Sequence, residues 1–280
     1  CDPGGAGRPL EHPLGAMAHY ARQGLRGVVC QEKHDGVRVV AVVCRDAEAA
    51  GRCFGVTDGS AGTIHTRVGR PVLERSQEER ILAEIRAGAG SARVWESLAT
   101  DFLCLDGELV GPAPGRLVLF HVLAAAGATF FDRGHDWQLA LLERVVADDA
   151  TGAVRAVRQR SVDLEKPVEV AAAIAWWHRI SEEGGEGIVV KPLVAASSGR
   201  DGPVQPALKV RSAARLARVY GDASGAGLEG LRRRSLETKR ARALDQFALG
   251  IESLARFVAG APRDGVTACL DALLDWKPSR

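Results

Sequence analysis

Residues 31–40 read QEKHDGVRVV. Lys33 stands two residues before an Asp-Gly and five before Arg38. The flanks are GVVC at 27–30 and VRVVAVVC at 37–44. Runs of Val with small residues, interrupted by turn chemistry, read as buried strands. Strands are therefore expected over 27–32 and 37–44. Lys33 would lie near the end of the first, at the mouth of whatever the sheet encloses.

Working outward, the chain is 280 residues long and 46% hydrophobic, enough for one large or two modest domains with a real core. A net charge of +2 gives no global nucleic-acid signal, so any such partner has to be met by local patches. The six cysteines, at 1, 30, 44, 53, 104 and 269, contain no CxxC pair and no accompanying histidine pattern. They are expected to be reduced and mostly buried, which argues against a zinc site and for a cytoplasmic setting. No apolar run reaches membrane-spanning length and no signal peptide is visible. The chain opens on Cys1 and its one methionine is Met17, which predicts a domain cut from a longer protein.

HPLGAMAHYARQG at 12–24 has a short helical pattern, DAEAAGRCFGV at 46–56 reads as a short helix or loop, and TIHTRVG at 63–69 as a strand and turn. SQEERILAEIRAG is a helix by Ile81, Leu82 and Ile85, and WQLALLERVVADD by Leu139, Leu142, Val145 and Val146. Between them FLCLDGELVG and RLVLFHVLAA are strand-like. VEVAAAIAWWHRISEEGG is a helix closed by Gly184 and Gly185. GIVVKPL and PALKVR follow as strands. Beyond about residue 225 the pattern turns wholly helical, with Leu244, Phe247, Ile251, Leu254 and Val258 at three- and four-residue steps. The expected division is thus 1–225 and a helical module at 226–280.

Taken alone, KHDGVR is a weak signal. An ordered series follows it: HTRVG at 65–69, LDGEL at 105–109, LFHVL at 119–123, EGIVVK at 186–191 and LKVR at 208–211. Each polar group falls in or beside a strand, so all can converge on one cleft.

This series resembles the signature of the covalent nucleotidyltransferases, the ATP-dependent ligases and mRNA capping enzymes: K-x-D-G-x-R, S/T-R-x-G, D-G-E, an aromatic strand, E-G-x-V-x-K and a final lysine. Further stretches are similar to the RNA ligase module of bacterial polynucleotide kinase-phosphatases, which heal and seal broken RNA. They are HPLGAMAHYAR, VVC-x-EKH, TR-x-GR, LFHVLA, AWW ahead of GGEG, QPALKVR and KR-x-x-AL-x-x-FALGIE. That likeness runs over nearly the whole chain. It implies an α+β nucleotidyltransferase fold, unrelated to ATP-grasp, of two antiparallel sheets around an ATP cleft.

The resemblance also implies a site. An amine attacks phosphorus only when unprotonated, so the site has to strip the proton from Lys33. Lys33 would then take AMP from ATP and release pyrophosphate. Lys191 and Lys209 would neutralise charge growing on the α-phosphate. Glu108 and Glu186 would serve ribose hydroxyls and an Mg²⁺ or Mn²⁺ ion. Arg38 would bind the ribose or a phosphate, Phe120 would stack on adenine, and Arg67 would hold a phosphate of the pyrophosphate or of a nucleic-acid end. Glu32 would read the base edge. The implied partners are RNA ends bearing a 5′-phosphate and a 3′-hydroxyl, kinase and phosphatase modules, and a methyltransferase.

Simpler readings stand beside these roles. Asp106-Gly107 alone is a turn signal, Phe120 alone a core residue, and His34 and His121 ordinary hydrogen-bonding residues. Trp176-Trp177 reads as packing. The cations Arg232, Arg233, Arg234, Lys239, Arg240 and Arg242 make a solvated face or a grip for phosphates. The segment after Lys209 does not read as the oligonucleotide-binding (OB) barrel of DNA ligases and capping enzymes. Against the kinase-phosphatase relatives, Asp35 and Gly107 stand where those proteins carry a non-Asp residue and a cysteine. Only GPAPGR separates LDGELV from LVLF, where they carry a helical insert. No GxxxxGK[ST] loop occurs, which excludes a P-loop kinase in this stretch. The alternatives are a DNA ligase core, a guanylyltransferase, or a non-catalytic nucleic-acid-binding module that keeps the fold.

Overall fold

The structure, a computed structural model, describes residues 11–111, 115–149, 151–200, 202–220, 226–262, 264 and 266, without the side chains of 219–237. In chain order the elements are α1 (Pro13–Arg22), β1 (Gly27–Glu32), β2 (Gly36–Cys44), α2 (Ala47–Phe54), β3 (Gly62–Thr66), α3 (Arg75–Ser91), α4 (Val94–Ser97), β4 (Phe102–Val110), β5 (Arg116–Ala125), β6 (Ala128–Thr129), α5 (His135–Val146), β7 (Val154–Ala156), β8 (Gln159–Asp163), α6 (Pro167–Glu182), β9 (Gly187–Pro192), β10 (Ser198–Gly199), β11 (Gly202–Pro203), β12 (Leu208–Arg211), α7 (Ala213–Tyr220) and α8 (Ala226–Val258). Among the described residues no helix is long and apolar enough to cross a membrane.

The chain packs as two compact units. One is Cys1–His34 with Arg158–Ser253 and Pro262–Arg280; the other is Asp35–Val157 with Leu254–Ala261. The first boundary falls inside KHDG, between His34 and Asp35.

The first unit is built on an antiparallel sheet of order β12-β9-β1-β8. Strand side chains alternate between faces, and here the alternation is clear. Val28 and Cys30 of β1 join Val162, Ile188, Val190, Leu208 and Val210 in one buried cluster, with Met17 and Tyr20 of α1 and Ala173, Trp176, Trp177 and Ile180 of α6. Both tryptophans of the AWW run are therefore packing residues. The buried Tyr20 hydroxyl lies within hydrogen-bond distance of the carbonyls of Val190 (3.2 Å) and Gln205 (2.9 Å). Pro167 opens α6 at a position where a missing N–H costs nothing, and the expected glycine stop is present, with Gly184 at φ 82°.

The second unit holds a sheet of order β3-β2-β4-β5-β6. Val39, Ala41, Val43, Ile64, Leu103, Leu105, Leu117 and Leu119 pack against Ile81, Leu82 and Ile85 of α3 and Leu141, Leu142 and Val145 of α5. The main pairings of this sheet are antiparallel, and β7 adds to residues 117–119 of β5 in parallel. Phe54, Phe102 and Phe257 meet in a ring cluster that seats the last turns of α8 on this unit.

The expected strands and long helices are present. β7 and β8 were not expected: VRA and QRSVD are short, carry one arginine each and hold a single valine apiece. Pairing with β5 and β1 makes them strands. Cys30, Cys44 and Cys104 are buried and Cys53 is exposed, all as free thiols. Burial pushes the thiols of Cys30 and Cys104 up to about 12 and that of Cys44 to about 11. Cys1 and Cys269 lie outside the described residues, as do the side chains of Arg232, Arg233 and Arg234.

Two outcomes are expected. Cys53 should react with a thiol reagent in the native protein, whereas Cys30, Cys44 and Cys104 should react only in denaturant; mass spectrometry of the labelled peptides checks this. A Cβ on Gly88 of α3 would lie 1.7 Å from the Val145 carbonyl oxygen, so neither atom can stay in place. Gly88→Ala should cost about 3 kcal/mol, seen as a lower urea midpoint at unchanged slope.

Candidate active site

In the first unit, β1 ends at Glu32 and delivers Lys33 directly after the strand. The Lys33 N–H donates to the Gly187 carbonyl at 2.9 Å, which ties the lysine to the start of β9. Gly187 has φ +110°, and a Cβ there would meet the Val210 carbonyl oxygen at 2.2 Å. Only glycine fits this backbone, so the glycine of EGIVVK is a requirement of the site's frame. The neighbouring Glu186 side chain then reaches Lys33. The Lys33 Nζ lies 3.3 Å from Glu186 Oε2 and 3.2 Å from the His34 carbonyl, and both ion-pair partners are mostly buried. The same Glu186 oxygen lies 2.7 Å from Arg215 Nε of α7. One carboxylate oxygen thus faces two cations.

Lys191 and Lys209 lie on the face of this sheet opposite the packed core. Register pairs Val29 with Lys191 and Lys209 with Val189, in phase with Gln31 and out of phase with Cys30. Lys191 is buried at 7% exposure and Lys209 is exposed. The Lys191 ammonium donates to Gln31 Oε1, and Gln31 Nε2 donates to Gln159 Oε1 at 2.9 Å. Glu32 follows the other phase. Both of its oxygens accept from the Arg158 guanidinium, at 2.8 and 3.0 Å, and His34 Nε2 lies 3.6 Å away. Arg158 also approaches Glu183, and these two residues with Trp176, Arg179 and Ile180 line a cavity of about 110 Å³.

In the second unit, Asp106-Gly107 is no turn. It lies in the middle of β4, where the pairing with β5 slips by a residue. The Asp106 carboxylate, 2% exposed, accepts from Arg38 Nε at 2.9 Å and from a second nitrogen of the same guanidinium. Asp106 is the main cause that raises the Arg38 pKa, against the desolvation that lowers it. The Phe120 ring lies beneath the guanidinium at 5.6 Å. Glu108 sits opposite Arg38 in the β2–β4 register. Arg38, Glu108 and Phe120 thus lie on the same sheet. Arg67 stands on the exposed turn after β3, where desolvation and then the like charge of Arg38 lower its pKa. His121 Nδ1 approaches Asp106 at 3.9 Å, and its ring stacks on that of His135 at 4.8 Å.

Among the residues with close contacts in these arrangements, Gln31, Gln159, Arg158 and Arg215 were not singled out by sequence. Gln31 carried a usable signal, a polar residue directly after the buried run Val28–Cys30. Arg158 and Arg215 carried none, since nothing local marks an arginine as the partner of a distant glutamate. Asp106 was masked by its turn-like Asp-Gly context.

Glu186 and Glu108 are hard oxygen donors of the kind Mg²⁺ and Mn²⁺ take, so the donor chemistry suits such an ion. Among the described residues no group of three or more His, Cys, Asp or Glu side chains is placed to hold a metal by itself.

Several solved structures are similar to this chain. "Structure of Pnkp1/Rnl/Hen1 complex" is 13% identical, with 92% of this chain and 86% of that one covered at a TM-score of 0.65. "Structure of the Pnkp1/Rnl/Hen1 RNA repair complex" is 15% identical, with coverages of 93% and 86% at a TM-score of 0.65. At this identity the likeness establishes the nucleotidyltransferase fold. The chain spans 46% of the length of the structure "Pmar-Lig_Pre.", at 17% identity and a TM-score of 0.49, with 72% of this chain covered. No curated protein matches the chain. The family described as the PNKP adenylyltransferase domain, ligase domain, matches residues 4–114 and 113–277. The two matched stretches overlap at residues 113–114, within GPAPGR. With nearly the whole chain matched, the protein belongs to the family of PNKP adenylyltransferase (ligase) domains.

Proposed function

We propose that this chain is an ATP-dependent RNA ligase module whose first step is adenylylation of Lys33. The observation that carries the reading is the meeting of Lys33 and Glu186 at 3.3 Å, which joins the K-x-D-G lysine to the E-G-x-V-x-K glutamate. In the first step Lys33 Nζ attacks the α-phosphorus of ATP. A P–N bond forms, the bond to the bridging oxygen breaks, and pyrophosphate leaves. An ammonium has no lone pair to attack with, so the Lys33–Glu186 pair has to open and the proton has to leave first. Arg215, already 2.7 Å from the same oxygen, gives Glu186 a second cation to hold as Lys33 departs.

Lys191 and Lys209, on one face of the sheet, are the cations suited to the charge that grows on the α-phosphate. Arg38, clamped by Asp106 and Phe120, is a rigid donor for the ribose or a phosphate, and Phe120 is the ring assigned to adenine. Arg67 is assigned a phosphate. Each Glu32 oxygen that accepts from Arg158 keeps acceptor capacity for the base's amino group. Glu186 and Glu108 are each assigned as an oxygen donor for a divalent ion, which would offset the charge of the phosphates.

In the later steps AMP passes to an RNA 5′-phosphate and is displaced by a 3′-hydroxyl, which leaves a phosphodiester. Kinase and phosphatase modules would prepare those ends, and a methyltransferase is the further partner, in the cytoplasm. Residues 1–225 would form the adenylyltransferase domain and 226–280 the helical module, with Lys239, Arg240 and Arg242 available to RNA phosphates.

Incubation with α-labelled ATP and Mg²⁺ or Mn²⁺, followed by a denaturing gel, tests the first step. A label that survives denaturation, prefers ATP to GTP and is absent from Lys33→Ala is expected. Glu186→Gln should lower its rate by about 100-fold or more. A label that prefers GTP would point to a guanylyltransferase. Sealing of a DNA nick in preference to RNA would point to a DNA ligase, and RNA binding with no label in either metal to a non-catalytic module.

A further inference from the structure

We infer that Gln31 is a positioning residue: its amide oxygen aims the Lys191 ammonium without neutralising it. The inference rests on the adenylyl-transfer reading of the site. Gln31 and Gln159 are directly opposed in the β1–β8 register. Across the other edge of β1, Gln31 is opposed to Val189, and Lys191 is its diagonal neighbour two residues on. A diagonal pair of this kind is within reach of a long side chain. All three polar side chains therefore rise from one face, across three adjacent strands.

The chemistry of the groups sets the order of the chain. An ammonium only donates, so the Gln31 atom that faces Lys191 has to be the carbonyl oxygen. That leaves the Gln31 amide nitrogen to donate, and it does so to Gln159 Oε1 at 2.9 Å. Gln159 thereby locks the rotation of the amide, and the amide locks the lysine. Gln31 is 2% exposed and Lys191 7%. Val28, Val29 and Cys30 precede it in β1, all buried, and burying an amide after them costs free energy unless it is hydrogen-bonded.

Lys33 and Lys191 make different contacts. Lys33 meets a carboxylate, Glu186, and has to leave it before it can react. The contact from Gln31 to Lys191 is a neutral dipole, which orients the ammonium and itself cancels none of its charge. A carboxylate at position 31 would orient the lysine equally well and cancel that charge. Position 31 thus calls for an acceptor with no charge of its own.

Single-turnover adenylylation over a range of ATP concentrations tests this, with Gln31→Leu and Gln31→Glu beside the wild type and thermal melting of each protein. Loss of folded protein lowers the amount of adduct, whereas loss of a positioned cation lowers the rate constant at saturating ATP. Both variants should lower that rate constant by about 10- to 100-fold, with half-saturating ATP changed by less than about threefold. Gln31→Glu, which keeps the acceptor and the size, should be no better than Gln31→Leu. If Gln31→Leu does not fold, Gln31→Glu carries the test by itself. A wild-type adduct formed at undiminished rate by the folded variants overturns the role of Gln31. No adduct in the wild type overturns the adenylylation reading itself, and this inference with it.

Discussion

A strand has two faces, and β1 uses both. Val28 and Cys30 face the helices and seal the core, while Val29 and Gln31 face the opposite way with Lys191. The strand ends one residue before Lys33, and the backbone bonds there, Glu32 to Arg158 and Lys33 to Gly187, fix where that side chain begins. A one-residue slip would exchange the two faces and send the polar set into the helices. The site is therefore only as well defined as the register of this strand. Cys30, Val162, Ile188, Val190 and Val210, all nearly inaccessible, hold that register from the packed side.

With the register fixed, the site of this sheet becomes a matter of which charge each cation meets. Glu186 shares one oxygen between Lys33 and Arg215, Glu32 is forked by Arg158, and Lys191 donates to an uncharged amide. These partners differ in charge: a carboxylate carries one of its own and an amide carries none. On the second sheet Arg38 is held between the Asp106 carboxylate and the Phe120 ring, which fixes a planar donor in two directions.

The family's order of motifs was legible because covalent chemistry at phosphorus constrains residue type strongly. A nucleophilic lysine, an acidic oxygen donor and two further cations cannot be exchanged for near equivalents. The strands that bear them were legible for a different reason: valine runs and period-two alternation are local. Asp106 shows where local reading fails. Asp-Gly is turn chemistry in isolation, yet nine residues of β4 run straight through it, because the buried carboxylate has Arg38 to pair with across the ladder. Glu32 meets Arg158, a partner 126 residues on that nothing in its own neighbourhood marks.

The sequence by itself determined the chemistry available: the lysines, the glutamates, the glycine that EGIVVK requires, and the helical stretch after the last lysine. Those follow from residue type and from periods of two and three to four residues, which need no long-range contact. The tertiary structure alone decided the neighbours. It brought β8 beside β1 from more than a hundred residues away, set Gln159 against Gln31, put Arg215 on Glu186, and added β7 in parallel to β5. Hydrogen-bond and charge partners at such separations are chosen by packing and burial, and nothing in the residues adjacent to them in the chain encodes that choice.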